Sequence, residues 1–147
     1  MYKNVIYLLF ALLTLTACSR EDDIDEIFVG KTWYMLDASI NRKGVDVKNF
    51  YTPAGESAYY IAFSTGTFYG TLSKDDHFAG TWTANGKHQT ITLTFTQKPT
   101  ASELFDKQLY NILNAATSYS SGAEFLHIKD DNDGLIYLSP TRGQSRQ

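Results

Sequence analysis

The sequence predicts a mainly β (α+β) domain: a strongly curved antiparallel sheet or partial barrel with one amphipathic helix packed on it. Three observations predict it. Residues 58–96 alternate apolar and polar side chains through four runs divided by turn residues, the period of strands with one buried and one wet face. From Leu104 to Ala116 the apolar residues change to helical spacing. Aromatic residues make up 14% of the 147-residue chain, ten of them tyrosines, which suits a half-buried sheet.

The chain begins with an address. Lys3 gives residues 1–17 a positive start, and Val5 to Leu15 form an apolar run. That run is too short for a bilayer core, which takes about 20 residues to cross. Leu15-Thr16-Ala17-Cys18 resembles the lipobox of bacterial lipoproteins. The resemblance implies cleavage before Cys18, a diacylglycerol on its thiol and a membrane held through acyl chains. Cys18 is the single cysteine, so an intrachain disulfide is excluded. Residues 18–27 then read as the lipidated cysteine and an acidic tether, because a run of like charges stays solvated and extended. The tether is similar to the acidic export signal of surface lipoproteins of the Bacteroidota. It implies an outer-membrane, cell-surface location, with a periplasm-facing one as the alternative.

Residues 28–140 form the globular domain of this reading. Gly30 to Asp37 reads as a strand with Trp33 and Met35 on one face. Asn41-Arg42-Lys43-Gly44 is a turn signal, followed by alternating Val45 and Val47, and Pro53-Ala54-Gly55 breaks the chain. Four strands then form a meander. Tyr59, Ile61 and Phe63 share the inner face of the first, Phe68, Gly70 and Leu72 of the second, Phe78, Gly80 and Trp82 of the third, and Ile91, Leu93 and Phe95 of the fourth. Threonines dominate the other face. Asn85-Gly86 predicts a two-residue hairpin turn, since both residues tolerate positive φ.

Pro99 stops the sheet. Thr100-Ala101-Ser102-Glu103 has the capping-box pattern, and the helix it opens ends near Tyr119 before Ser120-Ser121-Gly122. Its apolar stripe requires a partner, and the greasy sheet face is available. Ala123 to Lys129 and Leu135 to Ser139 close the domain as two strands around Asp130-Asp131-Asn132-Asp133-Gly134. Residues 141–147 are a polar tail, expected to be flexible.

Phe68-Tyr69-Gly70-Thr71-Leu72 is echoed by Phe78-Ala79-Gly80-Thr81-Trp82. Glycine at an inward position lets a sheet bend or admits a neighbouring ring. With Gly30-x-x-Trp33, the helix from Leu104 to Ala116, Tyr119, Phe125-Leu126-His127-Ile128 and Gly134-Leu135-Ile136-Tyr137-Leu138, the motifs run in an order that resembles the META-domain family of small envelope proteins. The resemblance implies a compact β-rich domain with one helix, and brings no established activity. Where many members carry a Cys-Asn pair, this chain has Ser73-Lys74-Asp75-Asp76.

The net charge is −3, and loss of residues 1–17 removes Lys3 and no acid. A nucleic-acid partner, which needs a basic face, is therefore not expected. Asp130 to Gly134 does not fit a calcium loop, because alignment on Gly134 puts Lys129 at the first ligand position and Pro140 at the bidentate one. His77 with Asp75 and Asp76 has no recognised ligand spacing, and a zinc site would require His88 or His127 to converge on it. No nucleophile elbow or phosphate loop occurs. The expectation is thus no metal, no cofactor, no catalytic residue and no enzyme. Tyr60 and Tyr69 fall on the polar face and form the candidate ligand surface, for a glycan or a protein partner. The expected function is a membrane-anchored binding module. The alternatives are a structural or stress-protective envelope component, and a carrier of a small apolar ligand in a pocket beneath Leu109 and Leu113.

Overall fold

The elements run in the order α1 (Ile24–Phe28), β1 (Lys31–Ile40), β2 (Lys43–Asp46), β3 (Tyr60–Phe63), β4 (Thr67–Thr71), β5 (His77–Asn85), β6 (Thr90–Gln97), α2 (Leu104–Asn114), β7 (Ala116–Gly122), β8 (Phe125–Asp130) and β9 (Leu135–Ser139). The structure is a computed structural model, and it describes residues 21–46, 58–73 and 75–142. Cys18 and the segment before it, Val47, the Pro53 break, Lys74 and residues 143–147 lie outside the described residues.

The four-strand meander expected over residues 58–96 is β3 to β6, each pair antiparallel. The sheet then goes further than a partial barrel. Its order is β1-β3-β4-β5-β6-β7-β8-β9, and β9 pairs back onto β1, which closes eight strands; β2 hangs on the far half of β1. Closure removes the exposed edges an open sheet would present. It depends on β1 serving three partners. Lys31 to Tyr34 pair with β3, Asp37 to Ile40 with β2, and Tyr34 to Ser39 with β9. A register shift between Met35 and Asp37 re-aims the strand midway.

The two Phe-x-Gly-Thr motifs explain the curvature. Phe68 lies opposite Gly80 and Gly70 opposite Phe78 in the β4–β5 register. Each ring occupies the space a side chain on the opposite glycine would take: a Cβ on Gly80 would meet Phe68, and one on Gly70 would meet Phe78. The motif is therefore a reciprocal ring-over-glycine pair. It carries the two strands close together on the inner face and starts an aromatic core that continues through Phe95 and Tyr110.

The register assigns the turns to two ends. The closed end holds α1 and the β3–β4, β5–β6 and β7–β8 turns; the opposite end holds the β1–β2, β4–β5 and β8–β9 turns and α2. Closing the first end falls to a segment expected to be loose. The acidic stretch was expected to remain extended through residue 27, but it turns into α1 at Ile24. Asp23 caps that helix by accepting from the Glu26 amide at 3.1 Å. Ile24 and Ile27 then pack on the core, and Phe28 is fully buried. The Phe28 ring sits 5.0 Å from Phe63, 5.1 Å from Trp82 and 5.2 Å from Tyr119. Each such contact adds about 0.5–1.5 kcal/mol beyond burial, enough to hold a five-residue helix that would not form alone.

Three further expectations need correction. The helix ends at Asn114, and residues 116–122 form β7. Thr117, Ser118, Ser120 and Ser121 compete with helical hydrogen bonds through their own hydroxyls, while alternation sends Tyr119 inward. The capping box does not form. Glu103 is the N-cap without a side-chain bond, and the Thr100 and Ala101 amides donate instead to the Asp76 carboxylate at 2.7 and 2.9 Å. The hairpin at Asn85-Gly86 is longer than two residues: Asn85 pairs with Thr90, the Asn85 Oδ1 accepts from the Lys87 and His88 amides, and positive φ falls on Gln89.

Candidate functional site

Alternation along β3 and β4 turns Tyr60 and Tyr69 outward, and Tyr69 is 52% exposed. The structure brings them together. Their rings meet edge to face with centroids 6.3 Å apart. Tyr34 of β1, directly opposite Tyr60 in register, extends the row at 6.4 Å. The Arg142 guanidinium lies over the Tyr34 ring at 5.1 Å and donates from Nη2 to the Ala58 carbonyl at 3.2 Å. The sequence reading did not single out Tyr34 because strand partners 26 positions apart carry no local mark.

A second aromatic row crosses β8 and β9. The Phe125 ring occupies the space beside Gly122, where a Cβ would collide with it. His127 stands between Phe125, at 4.7 Å, and its register partner Tyr137, at 4.5 Å. Burial, and then the Lys129 charge, lower its pKa from 6.5. Phe125 and His127 two residues apart, opposite Tyr137 across a short hairpin, was a signal available in the sequence.

The histidines do not converge. His77 Nδ1 is 2.9 Å from the Thr71 hydroxyl, His88 lies in the β5–β6 turn, and His127 stands among rings. Among the described residues no three metal-ligating side chains gather. The acids of the β8–β9 turn are engaged as well. Asp130 Oδ1 accepts from the Asn132 and Gly134 amides at 2.8 and 2.7 Å, Asp131 from the Thr117 hydroxyl, and Asp133 pairs with Arg42 at 3.2 Å.

One polar pair is buried. The Tyr59 hydroxyl donates to Asp106 Oδ1 at 2.8 Å and ties β3 to α2. Asp106 Oδ2 is buried without a partner among the described residues. Burial and the Asp106 carboxylate push the Tyr59 pKa up. Tyr119 is raised in the same way, by burial and by its 2.9 Å bond to Asp22. Leu109 and Leu113 are fully buried in the core. Two clefts of the described surface open elsewhere. One of about 450 Å³ lies at the end bearing α2, between α2 and the β1–β2 and β8–β9 turns. Another of about 620 Å³ lies between α1, β1 and the β7–β8 turn.

These features define a small closed antiparallel β-barrel with a covering helix and aromatic rows on its outer face. The sequence model of a domain of unknown function, DUF4847, matches residues 19–139, and the chain belongs to that family. It is similar to the crystal structure of a DUF4847 family protein from Bacteroides vulgatus ATCC 8482, with a TM-score of 0.65 and 24% identity, over 83% of this chain and 100% of that one. At that identity the likeness shows the fold alone. No curated protein matches.

Proposed function

We propose that this chain is a non-catalytic binding module, held to the outer membrane through acyl chains on Cys18, with the outward tyrosine row as its contact face. The observation that carries the reading is the Tyr34–Tyr60–Tyr69 row. Tyr69 stands exposed and Tyr34 and Tyr60 half-buried on the outer wall of a barrel whose core is already complete without them. An edge-to-face contact between Tyr60 and Tyr69 and a tilted one between Tyr34 and Tyr60 hold the rings before any partner arrives, so little side-chain entropy is lost on binding. The surrounding threonines supply hydroxyls. The anchor rests on the lipobox-like Leu15-Thr16-Ala17-Cys18. An apolar carrier draws no support from Leu109 and Leu113, which are packed into the core.

The test is a photo-crosslinking residue at position 69 in intact cells. The reading expects a discrete protein or glycan adduct that is lost when Tyr34 and Tyr60 are changed to alanine. An adduct pattern unaffected by those changes contradicts it. Separately, Cys18→Ser should release the protein from the envelope fraction.

A further inference from the structure

The end of the barrel bearing α2 has a chemistry unlike the rest of the surface. The cleft of about 450 Å³ there is ringed by five carboxamides: Asn41, Gln108, Asn111, Asn114 and Asn132. Three elements bring them together. The β1–β2 turn supplies Asn41, whose left-handed φ of 52° is tolerated by asparagine. One face of α2 supplies Gln108, Asn111 and Asn114. The β8–β9 turn supplies Asn132, held there by the hydrogen bond its backbone amide donates to the Asp130 carboxylate. Among the described residues none of the five carboxamides takes a protein hydrogen bond. Ile112 and Ile40 lie at the base, and Ile112 packs so closely on Gly134 that a Cβ there would strike it. Among the described residues lining the cleft Asp130 is the one with an ionisable side chain, and two turn amides occupy its Oδ1.

We infer that this cleft is a binding site for a neutral polyhydroxylated ligand, an oligosaccharide. A carboxamide donates and accepts at once, which matches the donor-and-acceptor character of a hydroxyl. Five of them with an aliphatic base complement the hydroxyl rim and C–H face of a sugar ring. They lack the full charges that would select an ion. The volume falls in the range of small-ligand sites, roughly 300–1,000 Å³.

The chain's own anchoring supports this placement, in so far as the lipoprotein reading holds. Asp22 is fastened to the opposite end. Its amide donates to the Gly86 carbonyl at 3.2 Å, and its carboxylate accepts from Tyr119 at 2.9 Å and Gln89 at 3.2 Å. Three residues lie between it and Cys18, four backbone steps that reach at most about 14 Å. The lipid therefore lies at the closed end, and the amide-lined end faces away from the membrane.

The experiment titrates the mature chain with maltoheptaose, a β-1,4-mannohexaose and an oligogalacturonate, and follows side-chain NH₂ and backbone amide resonances by NMR. A neutral probe should shift the Asn111 and Gln108 signals saturably. The double variant Gln108→Ala, Asn111→Ala should weaken that binding about tenfold, since two neutral hydrogen bonds are lost. Both changes raise helix propensity, so the fold is retained, and an unchanged thermal midpoint verifies it. Failure of both neutral probes to move these signals overturns the inference, as does an equal response to oligogalacturonate. Shifts confined to Tyr34, Tyr60 and Tyr69 also overturn it while leaving the tyrosine face standing. None of these outcomes depends on Cys18.

Discussion

The two ends of this barrel are closed by opposite means. At one, Phe28 enters a cage of Phe63, Trp82 and Tyr119, Trp82 Nε1 donates to the Ser64 carbonyl at 2.9 Å, and Asp22 takes Tyr119 and Gln89, while the buried Trp33 Nε1 has no hydrogen-bond partner among the described residues. At the other, α2 lies across the opening with Leu109, Ile112 and Leu113 inward, and carboxamides without protein partners line the rim. The first end is filled by the chain's own N-terminal segment, and the cleft of about 620 Å³ beside α1 is lined by Glu21, Asp22, Asp23 and Glu26 rather than by carboxamides. The second is capped beneath and left chemically available above. Stability and availability are thus separated along one axis, as expected when binding groups are mounted on a rigid scaffold.

The largest expected effect breaks that contrast at the closed end. Phe28→Ala should cost about 3–5 kcal/mol in denaturant unfolding, whereas Asn111→Ala should stay within about 0.5 kcal/mol; comparable losses at both would erase the distinction. Next comes the wall between the ends. Gly80→Ala places a methyl against the Phe68 ring and the Thr94 carbonyl, so it should destabilise by about 1–3 kcal/mol, read from the same unfolding curves. A third effect separates the ends by pH. Tyr59 and Tyr119 hold their protons above the ordinary tyrosine value of 10.0. The folded chain then binds more protons than the unfolded one, so stability should fall as pH rises past that value. Tyr59→Phe should flatten part of this fall in alkaline melting series, and Tyr119→Phe the remainder. The smallest effect belongs to the side wall. His127 has a lowered pKa, so its contribution is present above pH 6.5 and is lost as pH drops below it. Lys129→Gln should raise its NMR titration midpoint slightly, because burial is the larger cause.

Much of the fold was legible because the signals were local. Alternation gave β3 to β6, and the Phe-x-Gly-Thr echo marked a curved sheet even before its reciprocal geometry was visible. Closure was not legible. The pairing of β1 with β9 joins residues about a hundred positions apart, and no periodicity records that. Nor was α1, since Glu21 to Glu26 is read by charge as solvated while Ile24, Ile27 and Phe28 decide its fate through tertiary packing. Strand β7 was hidden for the reverse reason: Ala116 continues the helical stripe, and only the serines and threonines after it argue for a strand. Of the candidate site, Tyr60 and Tyr69 could be placed on the outer face by alternation. Their contact with Tyr34, and the meeting of five carboxamides from three elements, required the register and the helix position.

The proposed acyl anchor on Cys18 would turn the barrel's closed end toward the membrane, because Asp22 is fastened at that end. The direct measurement uses the lipidated chain in vesicles doped with a nickel-chelating lipid, with a nitroxide placed at Lys87 in the β5–β6 turn or at Asn132 in the β8–β9 turn. Strong relaxation by the lipid-bound nickel at Lys87 and weak relaxation at Asn132 is the predicted result. Equal relaxation at the two positions, or the reverse order, would contradict it.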